Sequence, residues 1–104
     1  PLMSNVQFTL NSAKVRKSEM INVYNIAKWM NENPEVNVVV KGYASPEGDK
    51  TFNEKLSQKR ADAIKNKLVK DYKIAEDRII ATGEGVGSVF ETPKYNRASI
   101  CVAK

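Results

Sequence analysis

The chain has 104 residues, enough for one compact domain and too few for two. Its 17 Lys and Arg are interleaved with 12 Asp and Glu, so the net charge of +5 is typical of a solvated mixed surface. One Cys and no His exclude a Cys–His or Ser–His nucleophile and a Cys/His zinc site. The sequence contains no apolar run long enough to span a bilayer and no visible signal peptide.

The first half of the chain predicts a strand, a helix and a second strand. VQFTL (residues 6–10) alternates apolar and polar residues, as half-buried strands do. An apolar stripe at helical spacing follows, with Ser18 as its expected N-cap and Asn33-Pro34 as its end. EVNVVVKGY (residues 35–43) is rich in β-branched residues and predicts a central strand that ends at Gly42. The members of the helical stripe are Met20, Val23, Tyr24, Ala27 and Met30.

The second half predicts a helix and two more strands. Thr51 and Glu54 fit a capping box, so the helix is expected from about Phe52 to about Tyr72. DRIIATGEG (residues 77–85) predicts a third strand that runs into Gly-rich turns. A long polar segment then leads to ASICVA (residues 98–103), the expected last strand.

The order of these elements is β-α-β-α-β-(loop or short helix)-β. It predicts an α+β fold, a two-layer sandwich in which both helices cover one face of a mixed four-stranded sheet. The other face would be exposed or covered by a partner. Residues 1–104 would form a single domain, and the start at Pro1 rather than Met suggests a piece of a longer protein.

No pattern in the chain predicts catalysis. The carboxylate pairs Glu47/Asp49 and Glu76/Asp77 stand in turn-like sequence, where acidic residues serve as caps. GEGVG (residues 83–87) lacks the spacing of a dinucleotide loop, and no Walker lysine is present. The strands carry too few aromatic residues for a nucleic-acid platform. We therefore expect no enzyme, no metal site, no cofactor and no nucleic-acid partner.

Arg60 is a charged residue in an otherwise apolar series. It stands in the apolar series of the second predicted helix, one turn after Leu56. A buried guanidinium is costly unless it is paired. Either Arg60 lies at the edge of the seam and reaches solvent or an acid such as Glu47 or Asp49, or it forms the floor of a pocket and holds a ligand carboxylate.

The residues around Arg60 carry a family resemblance. Residues 38–61 read V-x-V-x-G-Y-A-S-P-E-G-x-x-x-x-N-x-x-L-S-x-x-R-A, which resembles the signature of the OmpA-like C-terminal domain. That family includes peptidoglycan-associated lipoproteins and flagellar stator proteins. The resemblance extends over nearly the whole chain, through Phe8, Asn11, Ser12 and Ala13, Arg78, Ile79, Gly83 and Gly85, and Asn96-Arg97.

The resemblance implies non-covalent binding of peptidoglycan through the diaminopimelate residue of its stem peptide. In the family an Asp after the second strand receives the ammonium group, and a helix Arg receives the carboxylate. On this chain the helix arginine is Arg60 and the asparagine at the helix start is Asn53. The resemblance also implies a periplasmic domain at the outer membrane of a Gram-negative envelope, attached to the membrane only through an upstream segment. The other expected ligand-binding residues are Ala44, Ser45, Glu47, Gly48, Asn11 and Arg97.

One correspondence fails, because Ser45 stands where the family has its Asp. Losing that charge would cost about 1.5–3 kcal/mol, roughly tenfold to a hundredfold in affinity, unless Glu47 replaces it. Two functions are therefore expected. The first is a peptidoglycan anchor for an envelope protein. The second is an assembly module that has lost diaminopimelate binding and has a second copy or another envelope protein as its partner.

Overall fold

A computed structural model of the chain describes residues 3–44, 48–86 and 97–103, and for residues 3, 4, 86 and 97–103 it describes the backbone alone. The predicted α+β fold is confirmed. The predicted polar segment 87–96 lies outside the described residues. The elements are β1 (Met3–Gln7), a 3-10 turn (Lys17–Glu19), α1 (Met20–Glu32), β2 (Asn37–Ala44), α2 (Lys50–Lys70), a second 3-10 turn (Glu76–Arg78), β3 (Ile79–Val86) and β4 (Arg97–Ala103).

The strands lie in the order β1–β4–β2–β3. β4 is antiparallel to both of its neighbours, whereas β2 and β3 are parallel and are joined through α2. Val38 lies opposite Ile79, and the register shifts between Gly42 and Ala44, near the end of β2. The carboxyl ends of β2 and β3 therefore lie side by side, and the chain leaves β2 there to enter α2.

The core lies on one face of the sheet. Val6, Val38 and Val40 are fully buried, and they belong to the same cluster as the buried residues of both helices. On the opposite face Gln7 is exposed and Ile80 has 55% of its surface exposed. The side chains of Gln7 and Ile80 on this face are therefore open to solvent.

The stripe predicted for α1 is partly wrong. Val23, Ala27 and Met30 are buried as expected, but the stripe also includes Ile26, which the prediction missed. Tyr24 is 46% exposed instead, and its ring meets the ring of Tyr72 edge-on with the centroids 6.0 Å apart. The helix thus turns the Ile26 side of its surface towards the sheet and leaves the Tyr24 side at the rim.

The predicted N-caps of both helices are wrong. Ser18 lies in the 3-10 turn before α1, where it makes no capping bond. α2 begins at Lys50 rather than Phe52, and its N-cap is Asp49, whose carboxylate accepts the Phe52 N–H at 2.8 Å. Gly48, with φ of +86°, turns the chain just before this cap. Thr51 consequently lies inside the helix and cannot act as its N-cap.

Two strand boundaries also differ from the prediction. β1 covers residues 3–7 rather than 6–10, because its pairing with β4 ends at Gln7. Beyond that point the carbonyl of Thr9 bonds to Arg60 rather than to a neighbouring strand. β2 extends two residues past Gly42, to Ala44. The segment after β1 and the end of β2 thus both lie close to the middle of α2.

α2 packs unusually close to the sheet at two glycines. A Cβ atom at Gly42 would collide with the Ser57 carbonyl oxygen, and one at Gly83 would lie 2.6 Å from the Gln58 nitrogen. The approach allows the Gly85 N–H to donate to Ser57 Oγ at 2.9 Å and the Gly83 N–H to donate to Gln58 Oε1 at 2.8 Å. These contacts hold the first half of α2 over the ends of β2 and β3.

Candidate functional site

Arg60 is completely buried, and its guanidinium donates to three backbone carbonyls among the described residues. Nε donates to Ser12 at 2.8 Å, Nη1 to Tyr43 at 2.9 Å and Nη2 to Thr9 at 3.1 Å. The guanidinium carbon also lies 5.1 Å from the centre of the Phe8 ring, within cation–π range. Arg60 therefore does not reach solvent, and its guanidinium presents no exposed edge to a ligand. Its hydrogen bonds link the loop after β1 to the end of β2.

Charge-assisted bonds make this burial possible. Moving a guanidinium out of water costs several kcal/mol unless polar groups replace its hydration. Three carbonyl dipoles and an aromatic face surround Arg60 and replace part of that hydration. Burial still lowers the pKa of Arg60 from its usual value to about 10, so the side chain stays positively charged at neutral pH. The floor of the region thus carries a fixed positive charge.

A first cavity lies between the start of α2 and the end of β3, and we call it the α2–β3 cavity. Its volume is about 540 Å³. Asn53, which is 3% exposed, contributes to its wall, and two carboxylates, Glu54 and Glu84, lie at its edge. The described residues that line it are Gly48, Lys50, Asn53, Glu54, Gly83, Glu84 and Gly85.

A second cavity lies on the other side of α2, against the loop after β1, and we call it the loop–α2 cavity. Its volume is about 230 Å³. Asn11, whose φ is +60°, forms the loop side. The described residues that line it are Asn11, Ala13, Phe52, Lys55, Leu56 and Lys59.

The predicted site residues are distributed over these features. Gly48 and Asn53 line the α2–β3 cavity, and Asn11 lines the loop–α2 cavity. Ala44 is the last residue of β2 and is buried, next in sequence to the Tyr43 carbonyl that binds Arg60. Arg97 begins β4 opposite Gln7, but its side chain lies outside the description. Ser45 and Glu47 lie outside the described residues.

The sequence reasoning missed the part of the region formed by β3. The sequence places Gly83 and Gly85 near the end of a predicted strand but does not indicate that Gly83 lets the backbone of α2 come close to that strand. Ser57 and Gln58 bind the backbone of that strand. The signal available was two glycines at spacing two in a predicted strand, which often marks a close approach of two backbones.

Within the described residues, no group of three or more acidic or Cys side chains is placed to hold a metal ion. The same part of the chain has no helix with the length and apolar character needed to cross a bilayer. What the described region offers chemically is a buried cation in α2, one cavity lined by Lys50 and two carboxylates, and another lined by two lysines.

Comparison with known proteins agrees with this architecture. Outer membrane protein 41 of Porphyromonas gingivalis is 35% identical over 100 residues, which is 95% of this chain and 25% of that protein. The chain thus spans about a quarter of the length of that relative. The peptidoglycan-associated lipoprotein of Burkholderia pseudomallei has the same fold, with a TM-score of 0.87 at 20% identity over 96% of this chain and 90% of that one. The cell wall anchor of the type VI secretion system of Pseudomonas aeruginosa superposes with a TM-score of 0.73 at 23% identity, covering 94% and 78%.

The relative from Porphyromonas gingivalis is named as an outer membrane protein, in agreement with the predicted location at the periplasmic side of the outer membrane. The OmpA family model matches residues 7–99, which include both helices, β2, β3, Arg60 and both cavities. The resemblance seen in the sequence is therefore confirmed, and the chain belongs to the OmpA family.

Proposed function

We propose that the domain binds peptidoglycan non-covalently and anchors the envelope protein that contains it to the cell wall. The observation that carries the proposal is the buried positive charge of Arg60 at the junction of the loop after β1, the end of β2 and α2. Membership in the OmpA family supports it, because the fold is shared with a protein named as peptidoglycan-associated and with another named as a cell wall anchor.

In this proposal the stem-peptide diaminopimelate lies over Arg60, with its side-chain carboxylate nearest the guanidinium. Arg60 contributes in two ways. Its bonds to Thr9, Ser12 and Tyr43 hold the walls of the binding region in place, and its charge attracts the carboxylate from below. A direct contact requires one of the carbonyl bonds to give way, because all of the guanidinium is buried in the structure.

A second candidate function keeps the fold without diaminopimelate. Arg60 is already bound by carbonyls, and Ser45 replaces the family's acidic residue. On this alternative Arg60 is only a structural link, and the domain assembles with another envelope protein or with a second copy of itself. The open face of the sheet around Ile80 would be available for such a partner.

The two functions can be distinguished by changing the ligand rather than Arg60. Two soluble muropeptides are titrated into the ¹⁵N-labelled domain, one with diaminopimelate and one with lysine in its place, which lacks the side-chain carboxylate. If the domain is an anchor, the diaminopimelate muropeptide should cause saturable amide shifts, and the lysine muropeptide should bind much more weakly. The shifts should centre on Ser12, Ala44, Gly48 and Asn53. Equal responses, or no response at millimolar concentration, would overturn the proposal.

Restoring the acidic residue tests the same site from the protein side. The variant Ser45→Asp places a carboxylate at the position where the family receives the ammonium group. We expect it to bind the diaminopimelate muropeptide roughly tenfold to a hundredfold more tightly, since a charged partner adds about 1.5–3 kcal/mol. Ser45→Asn is the matched control, because it has similar size and no charge. An unchanged affinity in Ser45→Asp would show that the ammonium group does not lie at this loop.

A further inference from the structure

We propose that Gln58 occupies the outer edge of β3, and that removing its side chain lets two copies of the domain pair through this edge. Among the described strands, β3 has a neighbour, β2, on one side only. Backbone groups of alternate residues along a strand point to the same side, so one set of groups in β3 faces β2 and the other set faces outward. A further strand would bind the outward set, whether or not the domain binds peptidoglycan.

The side-chain amide of Gln58 lies where an adjacent strand would form its hydrogen bonds. Its Nε2 donates to the Ala81 carbonyl at 3.1 Å, and its Oε1 accepts the Gly83 N–H at 2.8 Å. One residue of a parallel neighbouring strand bonds two residues at the same spacing, through its own N–H and carbonyl. Nε2 also donates to Asp62 Oδ1 at 3.0 Å, so a carboxylate one turn further along α2 orients the amide.

The close approach of α2 to β3 makes these bonds possible. A Cβ atom at Gly83 would lie 2.6 Å from the Gln58 nitrogen, so the helix backbone comes this near only because position 83 is a glycine. The Gly85 N–H donates to Ser57 Oγ at 2.9 Å in the same region. Side chains of α2 thus bond three backbone groups of β3, and two of these three groups depend on Gln58.

The first five residues of β3 lack the features that usually keep edge strands apart. Edge strands commonly carry charged residues or prolines, and IIATG (residues 79–83) contains neither. Ile80 is 55% exposed and would add apolar contact to a strand that paired here. The occupant that matches this edge is β3 of a second copy, because two identical edges paired about a two-fold axis present the same groups to each other.

The opposite edge of the sheet has a comparable arrangement at one residue. In β1 the Gln7 N–H donates to Glu19 Oε1 at 2.8 Å, and the Gln7 carbonyl accepts from Arg16 Nη2 at 3.4 Å. These bonds lie at the last residue of β1, whereas Gln58 bonds the middle of β3. Since β3 is the longer of the two strands, Gln58 is the residue whose loss would expose the more extensive edge.

Amide hydrogen exchange tests whether Gln58 holds the edge. In Gln58→Ala the Gly83 N–H loses its acceptor, whereas the Gly85 N–H keeps Ser57 Oγ. At low protein concentration we expect exchange at Gly83 to become roughly tenfold faster, with exchange at Gly85 unchanged as the internal control. Equal exchange at Gly83 in the variant and the wild type would overturn the proposal.

Sedimentation equilibrium then tests the pairing, with circular dichroism to verify the fold. We expect Gln58→Ala to form a dimer at concentrations where the wild type and Asn66→Ala, changed at another exposed position of α2, are monomeric. Gln58→Glu should stay monomeric, because it keeps an acceptor for Gly83 and places a charge at the edge. Gln58→Met, of similar length and without a donor, replaces Gln58→Ala if alanine unfolds the domain.

Dimerisation should also restore the protection of the Gly83 N–H at high concentration, since a second β3 would then supply its acceptor. Three results would overturn the proposal: a folded Gln58→Ala that remains monomeric, a wild type that dimerises as readily, or a Gln58→Glu that dimerises to the same extent. None of these results bears on peptidoglycan binding, because every measurement is made without a muropeptide.

Discussion

Arg60, which is buried, and Arg78, which is half-buried, show how this domain uses arginines to link separate segments. Within the part of the chain that the structure describes, each donates to three backbone carbonyls that are distant in the sequence, so each links segments that no regular ladder joins. The sequence singles out Arg60 because it interrupts an apolar series, but the partners leave no such signal, since every residue carries a carbonyl. The acceptors are Thr9, Ser12 and Tyr43 for Arg60, and Met30, Asn33 and Val36 for Arg78.

Arg60→Lys should therefore destabilise the fold although it keeps the charge. A single ammonium cannot reach three carbonyls in different directions, and each buried carbonyl left without a donor costs about 1–3 kcal/mol. We expect the free energy of unfolding, measured by urea titration, to fall by about 2–4 kcal/mol. Lys59→Ala, at the exposed neighbouring position, should change it by less than about 0.5 kcal/mol. Similar stability of both variants would contradict the linking role of Arg60.

At the scale of elements, the start of α2 decides where its side chains point. A Thr-x-x-Glu box and an Asp both precede the apolar series, and the sequence alone does not rank them. The structure favours Asp49 because Gly48 turns the chain ahead of it and its carboxylate reaches the Phe52 N–H. The predicted stripe of α1 likewise includes Tyr24 where the structure buries Ile26, because packing sets the rotation of a helix and a periodic pattern only approximates it.

Replacement of each possible cap distinguishes the two helix starts. Asp49→Ala should lower the free energy of unfolding by about 1 kcal/mol, since it removes the acceptor of the Phe52 N–H. Thr51→Ala should leave it nearly unchanged or raise it slightly, because alanine is the better residue inside a helix. Thermal unfolding of the two variants, followed by circular dichroism, makes the comparison. A larger loss of unfolding free energy for Thr51→Ala would show that Thr51, and not Asp49, is the N-cap.

The contact between α2 and the sheet gives a second prediction at this scale. Gly42→Ala would drive a methyl group into the Ser57 carbonyl of α2, so we expect a loss of about 3 kcal/mol or more, or a failure to fold. Gly48→Ala meets no atom within 4 Å and should cost only about 1–2 kcal/mol, for its positive φ. The measurement is urea unfolding of both variants. Equal losses would mean that the helix can move away from the sheet.

At the scale of the molecule, alternation and β-branched runs were enough to predict the α+β class and the element order. The site was predictable only in part. The motif predicts Arg60, Asn53 and Gly48 as ligand-binding residues because they occur at fixed spacing along the chain, and this role stays a prediction. It could not reveal that Arg60 is enclosed by carbonyls, or that Lys55, Lys59 and Phe52 line a cavity with Asn11, since these relations depend on how α2 lies against the loop after β1.

The central claim is that this domain binds peptidoglycan, and co-sedimentation with purified Gram-negative sacculi tests it most directly. The account predicts that the domain pellets with the sacculi and is released by millimolar free diaminopimelate but not by lysine. A cellulose pellet of equal mass controls for adsorption of this basic chain. If the domain stays in the supernatant, or if diaminopimelate and lysine release it equally, the anchor function is contradicted. Assembly with another envelope protein would then be the favoured function.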